Sequence, residues 1–345
     1  MRIACLLRNN CFYGAENMTV VAAKYMSEHH DVWYCSPEGP ICEYLKDAGV
    51  THIPIQKVSV RTVKHLMKTL KPDIFIVLDN KASMICAFAG VPYISYQQNN
   101  WPWIGNINPF SIGMLYYCKK AKKVIGVSDH IIEEFRFSDH IRDKYITLPN
   151  VVDLSRVKDL AGETPESKIY DLCYFGRMSP QKSPSTFVNV VKKVLETRPE
   201  TTTVMIGSGE LTDDVKNQVK ELGLDDKIKF TGFLKNPFET VKKSRLLVMT
   251  SFYEGHCLAV IEAMSLGLPV IARNAPGLRQ EIDESCGVLC NTENEFYQAI
   301  LSTLSDEELY NKMSNGAKAK AKMSGDVERY AINLERICAQ VVERS

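Results

Sequence analysis

Short apolar runs separated by amphipathic stretches recur along the whole chain, and this alternation limits the possible folds more than any other feature. In the first half the runs are RIACLL (2–7), DVWYCS (31–36), THIPI (51–55), DIFIVLD (73–79), VPYISYQ (91–97), KVIGVS (123–128) and YITLP (145–149), with helical patterning over 15–29, 59–71 and 108–121. Apolar strands alternating with helices predict βαβ units, hence parallel sheets covered on both faces. Residues 154–168, LSRVKDLAGETPESK, are polar and turn-rich and read as a linker. The alternation restarts with YDLCYFG (170–176), TTVMIG (202–207), IKFTG (228–232), RLLVMTS (245–251), PVIAR (269–273) and CGVLC (286–290). The expectation is an α/β chain of two doubly wound domains, 1–154 and 166–325, facing a cleft. From about 305 only helical patterning remains, with Gly316 and Gly325 as break points, so the last helix, about 326–345, has no strand to return to and is free to cross back onto the first domain.

A length of 345 residues exceeds what one hydrophobic core usually serves, which agrees with two domains. A formal net charge of +1 gives no pull toward nucleic acid. The opening MRIACLLRNN reads as a strand rather than a signal peptide, and no stretch approaches the roughly 20 apolar residues of a spanning helix. The eleven cysteines lack C-x-x-C spacing and read as reduced, mostly buried thiols, which places the chain in the cytoplasm. The seven histidines show no ligand spacing, so no protein-held metal is expected. His29 and His30 read as partners for the negative end of a helix.

The stretch YEGHCLAVIEAMSLGLPVIA (253–272) is apolar or small from Cys257 to Pro269 except for Glu262, eight positions after Glu254. A helix starting near His256 would put Glu254 at the carboxyl end of a strand. It would offer the N–H groups of Gly255, His256, Cys257 and Leu258 as an anion or hydroxyl site. A carboxylate on the apolar face of that helix costs several kcal/mol unless it is paired or accepts hydrogen bonds. One solution is a structural ion pair. The other is a polyhydroxylated ligand, whose hydroxyls are donors, and the second acid nearby favours it.

In YFGRMSPQKSP (174–184), Arg177 and Lys182 follow the first strand of the second domain and are placed to clamp a diphosphate. The loops GSGE (207–210) and TGF (231–233) are either tight turns or ligand-bordering backbone. In CFYGAEN (11–17), Gly14 permits close backbone approach at a helix start, but G-x-G-x-x-G is missing and NAD is not indicated. Gln98 and Asn99 are either ordinary loop amides or hydrogen-bonding groups of a site. The segment 99–123 is mainly a core-facing helix with a basic end. Within it Trp101 and Trp103 are candidates to stack on an acceptor sugar, and its basic–aromatic character suits peripheral contact with the inner face of a membrane.

The segment Glu254–Glu262 resembles the E-x7-E motif of family 4 retaining glycosyltransferases, and its continuation through 276–282, PGLRQEI, resembles the family's following segment. The family's G-R-x(4,5)-K segment is similar to Gly176, Arg177 and Lys182, its G-G-A/V-E loop to residues 13–16 with Tyr13 for the first Gly, and its P-N-G-V-D segment to 149–153 with Val151 for Gly. The resemblance implies the GT-B fold of two Rossmann-like domains and transfer of a hexose, with retention and without a metal, from a UDP- or GDP-sugar to a hydroxyl of a glycan or lipid-linked acceptor. It implies that Arg177 and Lys182 hold the donor's diphosphate, that Glu254 orients the sugar, that Glu262 accepts from ribose hydroxyls, and that Gly207 and Phe233 border the nucleotide. Gln98 stands where many relatives have a His that contacts the sugar, and His256, which also faces the sugar, replaces an apolar or aromatic residue. Domain closure would exclude water. The competing readings are a sugar-nucleotide epimerase or phosphorylase of similar fold, and a nucleotide-sugar-binding module without turnover.

Overall fold

The computed structural model describes residues 1–10, 14–163 and 168–343. Two compact units divide the chain, one of Met1–Val151 with Asp326–Ser345 and one of Val152–Gly325. Among the described residues each contains a single, wholly parallel sheet.

In the first unit the strands are β1 (Arg2–Leu6), β2 (Asp31–Ser36), β3 (Thr51–Pro54), β4 (Ile74–Val77), β5 (Tyr93–Gln97), β6 (Lys123–Gly126) and β7 (Tyr145–Thr147), ordered β3-β2-β1-β4-β5-β6-β7. Helices α1 (Gly14–Met26), α2 (Ile41–Asp47), α3 (Val60–Thr69), α4 (Asn80–Ala89), α5 (Pro109–Lys120) and α6 (Asp129–Glu134) connect them. Every residue of β4 and β5 is buried, which is why these strands read as continuous apolar runs. Local chemistry sets the helix starts: Ser59 accepts from the Thr62 N–H, Asp79 from the Ala82 N–H, and Asn108 from those of Phe110 and Ser111, with Pro109 at the first helical position.

The second unit opens with α7 (Leu154–Ala161). It continues through β8 (Tyr170–Phe175), α8 (Pro184–Thr197), β9 (Thr203–Ile206), α9 (Thr212–Glu221), β10 (Ile228–Gly232), α10 (Phe238–Lys242), β11 (Ser244–Met249), α11 (Leu258–Ser265), β12 (Val270–Arg273) and β13 (Gly287–Cys290) to α12 (Glu293–Ser305) and α13 (Glu307–Lys322). Its strand order is β10-β9-β8-β11-β12-β13. In both sheets the order reverses beside the first strand, between β1 and β4 and between β8 and β11, and such switch points are where open α/β sheets bind ligands. The last helix, α14 (Val327–Val342), packs on α1 in the first unit, burying Tyr330, Leu334, Ile337, Cys338 and Val341. Among the described residues no helix is long and apolar enough to cross a membrane.

Four sequence expectations are corrected. The stretch that reads as a linker is helical over Leu154–Ala161, because the Asp153 side chain caps it and Val157 and Ala161, four apart, are both buried; residues 164–167 lie outside the described residues. Gly316 breaks nothing: it lies inside α13, where a Cβ would come 1.9 Å from the Ser285 carbonyl oxygen, so the glycine serves close approach of helix and loop. His29 and His30 do not finish a helix, since α1 stops at Met26; His30 Nε2 instead lies 2.9 Å from Glu335 of α14. Finally, α11 starts at Leu258 rather than near His256, because Cys257 is extended (φ −81°, ψ 94°), leaving Gly255 and His256 in the preceding loop.

Candidate active site

Because β8 and β11 pair directly, the loops leaving their carboxyl ends run side by side. The first carries Gly176, Arg177 and Lys182, the second Tyr253 to Cys257. The Thr250 hydroxyl lies 3.0 Å and 2.9 Å from the carbonyl oxygens of Lys182 and Ser183, the Phe252 N–H donates to Gln181 O (2.9 Å), and the Gln181 amide donates to Tyr253 O (2.9 Å). Ser183 has φ 47°, a left-handed conformation that costs a non-glycine residue about 1–3 kcal/mol and persists only when its surroundings enforce it. Here those bonds enforce it.

The outcome is a Lys182 Nζ 2.7 Å from Glu254 Oε1, with the two side chains 17% and 6% exposed. Burial works against the Lys182 cation, the adjoining Glu254 carboxylate works for it, and the net shift is upward, so the lysine stays charged. Lys182 Nζ also approaches Cys257 Sγ (3.8 Å); burial, reinforced by Glu254, pushes that thiol up to about 12, which makes it neutral and unreactive at neutral pH.

On one side of this pair, the glycines of GSGE find their physical reason. Gly207 has φ 124°, and a Cβ there would come 2.1 Å from Gly176 O; at Gly209 it would come 2.4 Å from Met178 O. The Met178 N–H donates to Ser208 O (3.1 Å) and the Leu211 N–H to Met178 O (3.0 Å), so the two loops touch backbone to backbone. This contact sets Glu210 opposite Arg177, at 3.0 Å, with both side chains about half exposed (48% and 52%). The Gly207 N–H donates to Gly232 O (2.9 Å), and Phe233, next in the chain, is 59% exposed.

On the other side, Gly277 (φ 80°) lies under Glu254: a Cβ would come 2.3 Å from Glu254 O, and the Glu254 N–H donates to Pro276 O (3.2 Å). His256 Nε2 lies 3.0 Å from Glu281 Oε1, both side chains being more than nine-tenths buried, while His256 Nδ1 is buried without a hydrogen-bond partner among the described residues.

Glu262 differs from Glu254. It is half-buried on α11 between fully enclosed neighbours, Ile261 and Ala263, and its carboxylate has no hydrogen bond or ion pair among the described residues. Burial pushes it up to about 7, with the charges of Arg156 and Lys182 opposing that rise. The structural ion pair weighed as the explanation for Glu262 therefore exists, but at Glu254.

Lys182, Glu254, Cys257 and Glu262 are thus brought together, with Arg177, Gly207 and Phe233 on the adjoining loops. Sequence reasoning misses three participants. Arg156 falls in the stretch that reads as a linker, although Val157 and Ala161 carry the helical spacing that identifies its helix. Glu210 and Glu281 stand inside recognisable motifs, but nothing in a linear pattern reveals that they face Arg177 and His256. The remaining candidates belong to the first unit. Gly14 is the exposed first residue of α1, while Cys11 to Tyr13 lie outside the described residues. Gln98 follows β5, and its Nε2 is buried without a hydrogen-bond partner among the described residues. Trp101 and Trp103 stack on each other (6.3 Å, 21°) and are half-buried against the core of their unit.

Residues 157–320 match the family model described as Glycosyl transferases group 1. A Campylobacter jejuni protein named N-acetylgalactosamine-N,N'-diacetylbacillosaminyl-diphospho-undecaprenol 4-alpha-N-acetylgalactosaminyltransferase is 25% identical over 251 residues, which span 70% of this chain and 66% of that one, just under two thirds of its length. An Escherichia coli UDP-Gal:alpha-D-GlcNAc-diphosphoundecaprenol alpha-1,3-galactosyltransferase is 24% identical over 332 residues, 83% of this chain and 82% of the relative. Among solved structures, Anabaena HepE in complex with UDP superposes with a TM-score of 0.84 over 99% of this chain and 100% of HepE at 18% identity, a likeness of fold. Fold and matches together define the class that the chain resembles: the GT-B glycosyltransferases, built from two Rossmann-like units.

Proposed function

We propose that this chain transfers a hexose from a UDP- or GDP-sugar to a hydroxyl of a lipid-linked glycan, retaining the anomeric configuration and using no metal. The observation that carries this reading is the pairing of Lys182 with Glu254 at 2.7 Å beside the unpaired, raised carboxylate of Glu262. In this reading Arg177 and Lys182 face the diphosphate and neutralise the charge that grows on it as the glycosidic bond breaks, which is electrostatic stabilisation in a preorganised site. Glu254 accepts from hydroxyls of the sugar, and Glu262 accepts from those of the ribose, the donors it lacks in the free protein. Phe233 and Gly207 flank the nucleotide. The first unit's candidates are Gly14, Gln98, Trp101 and Trp103, of which Gln98 has an orphaned side-chain amide available to donate to a hydroxyl.

Support for a lipid-linked acceptor comes from the relatives named for diphospho-undecaprenol-linked substrates. The test is incubation with a panel of UDP- and GDP-hexoses and an undecaprenyl-diphosphate-linked saccharide, with NMR of the product. Transfer that continues in excess EDTA and gives the donor's own anomeric configuration supports the reading. An altered sugar still attached to nucleotide, or a requirement for free phosphate, would replace it with an epimerase or a phosphorylase.

A further inference from the structure

Outside the candidate active site, the first unit holds a second group of side chains with chemistry of its own. Ten cysteines lie among the described residues and nine of them are buried; Cys42, in the first turn of α2, is the exception. Burial keeps the others inert, pushing Cys5, Cys86 and Cys173 up to about 12. Cys42 instead faces a base. Its Sγ lies 3.7 Å from Nδ1 of His52, a half-buried residue of β3. The other ring nitrogen, Nε2, lies 3.2 Å from Ser36 O and 3.1 Å from Ser36 Oγ, at the end of the neighbouring strand β2. A carbonyl oxygen can only accept, so in the neutral imidazole Nε2 carries the proton and donates it. The Ser36 hydroxyl donates onward to Pro37 O (3.1 Å), which leaves its own lone pairs for the same N–H. The lone pair of Nδ1 is thereby left facing the thiol.

The loop between β2 and α2 fixes the sulfur in that position. The Gly39 N–H donates to Cys42 Sγ (3.4 Å), the Ile41 N–H to Asn10 O (3.0 Å), and the Asn10 amide to Glu38 O (2.8 Å). At Gly39 a Cβ would come 2.7 Å from Asn10 Cβ, so glycine is what lets the two loops close up this far.

We infer that Cys42 is a site of thiol–disulfide exchange with low-molecular-weight disulfides, with His52 as its base. A nucleophile within reach of a base, and a third group orienting that base, is the arrangement that activates a thiol. In the exchange His52 Nδ1 takes the Cys42 proton as Sγ attacks one sulfur of the disulfide. A new S–S bond forms at Cys42, the S–S bond of the reagent breaks, and the departing thiolate recovers the proton from the imidazolium. Cys42 is oxidised, the departing half is reduced to a free thiol, and no further oxidant is consumed. A disulfide is the fitting co-reactant because its exchange needs only a nucleophile and a group that takes and returns one proton, and both are present. The inference does not depend on the proposed glycosyl transfer.

The experiment exposes the full reduced chain to glutathione disulfide, quenches with acid at intervals and locates the adducts by peptide mass mapping, once in buffer and once in concentrated urea. Cys42 is expected to be the first residue modified, and to react at least about tenfold faster in the folded chain than in the unfolded one, since a positioned base typically contributes that much or more. Exposure alone could at most equal the unfolded rate. His52→Gln keeps a donor for Ser36 O but has no basic nitrogen. It should bring the Cys42 rate down to the unfolded value while leaving the melting temperature unchanged; should that variant not fold, the folded and unfolded rates of the parent decide alone. A first adduct at another cysteine, Cys11 included, a folded rate no higher than the unfolded one, or an unchanged rate in folded His52→Gln would overturn the inference.

Discussion

The two units share a topology and, at the same place in it, a cation paired with an acid. In the first, Arg8 after β1 meets Asp79 after β4 at 2.8 Å; in the second, Lys182 after β8 meets Glu254 after β11 at 2.7 Å. The first pair is 41% and 31% exposed, the second 17% and 6%. Asp79 also caps α4 by accepting from the Ala82 N–H, so its position follows from local helix chemistry. Glu254 caps nothing. Its loop is fastened from both sides, by the Thr250 and Gln181 bonds and by the glycine contact beneath it. One parallel fold thus yields a solvated, weak pair where it only finishes a helix, and an enclosed, strong one where chemistry is proposed.

The largest expected effect comes from breaking the enclosed pair. Lys182→Met leaves Glu254 buried without its cation and should cost about 3–5 kcal/mol, whereas Arg8→Met should cost at most about 1 kcal/mol. Urea denaturation of both variants checks this, and similar losses would erase the distinction between the units.

Glu262 sharpens the contrast from the other direction. Its carboxyl titrates at about 7 in the folded protein against the ordinary 4.5. The folded state therefore binds more protons between these values, and stability falls as pH rises from about 4.5 to 7 and stays lowered above. Glu262→Gln should flatten that slope and raise stability at pH 8 by up to roughly 3 kcal/mol, since each tenfold change in proton affinity is worth about 1.4 kcal/mol, while weakening nucleotide binding. Melting curves from pH 5 to 8 read the first effect; a variant less stable than the parent at pH 8 would mean that the carboxylate is satisfied within the protein.

A matched pair of glycines tests the loop fastening. Gly49 in the first unit (φ 71°) has open space where a Cβ would point, whereas Gly277 (φ 80°) has the Glu254 carbonyl there. Gly49→Ala should cost about 1–2 kcal/mol, the left-handed penalty alone. Gly277→Ala should cost a further 1–3 kcal/mol or so for the steric overlap and displace Glu254, visible as lost transfer. The smallest stability change belongs to Arg177→Ala: its exposed partnership with Glu210 is worth less than about 1 kcal/mol, so melting should barely move while nucleotide affinity drops.

Much of this fold is legible in the sequence because each strand is short, apolar and bounded by turns; even the short β7 and β13 fall inside apolar runs that the sequence marks. What is not legible depends on contacts distant in sequence. Glu262 announces itself as an acid among apolar neighbours, yet no local pattern says that Lys182 chooses Glu254 instead. The helix at Leu154–Ala161 is hidden by its polar outer face, and Gly316 passes for a break because its reason, the Ser285 carbonyl, lies 31 positions earlier. The start of α11 is misplaced by two residues because no Ser, Thr, Asp or Asn marks its cap; Cys257 takes that position without a side-chain hydrogen bond.

The most direct measurement is a calorimetric titration of UDP, GDP and their hexose conjugates into the full chain, the Glu262→Gln variant and the Arg177→Ala variant. Saturable binding of at least one nucleotide sugar is predicted, accompanied at 100 times its Kd by about 2.7 kcal/mol of added stability and weakened by at least tenfold in both variants. A full chain that binds none of these ligands, or variants that bind as tightly as the parent, would contradict a nucleotide-sugar site built around Lys182, Glu254 and Glu262.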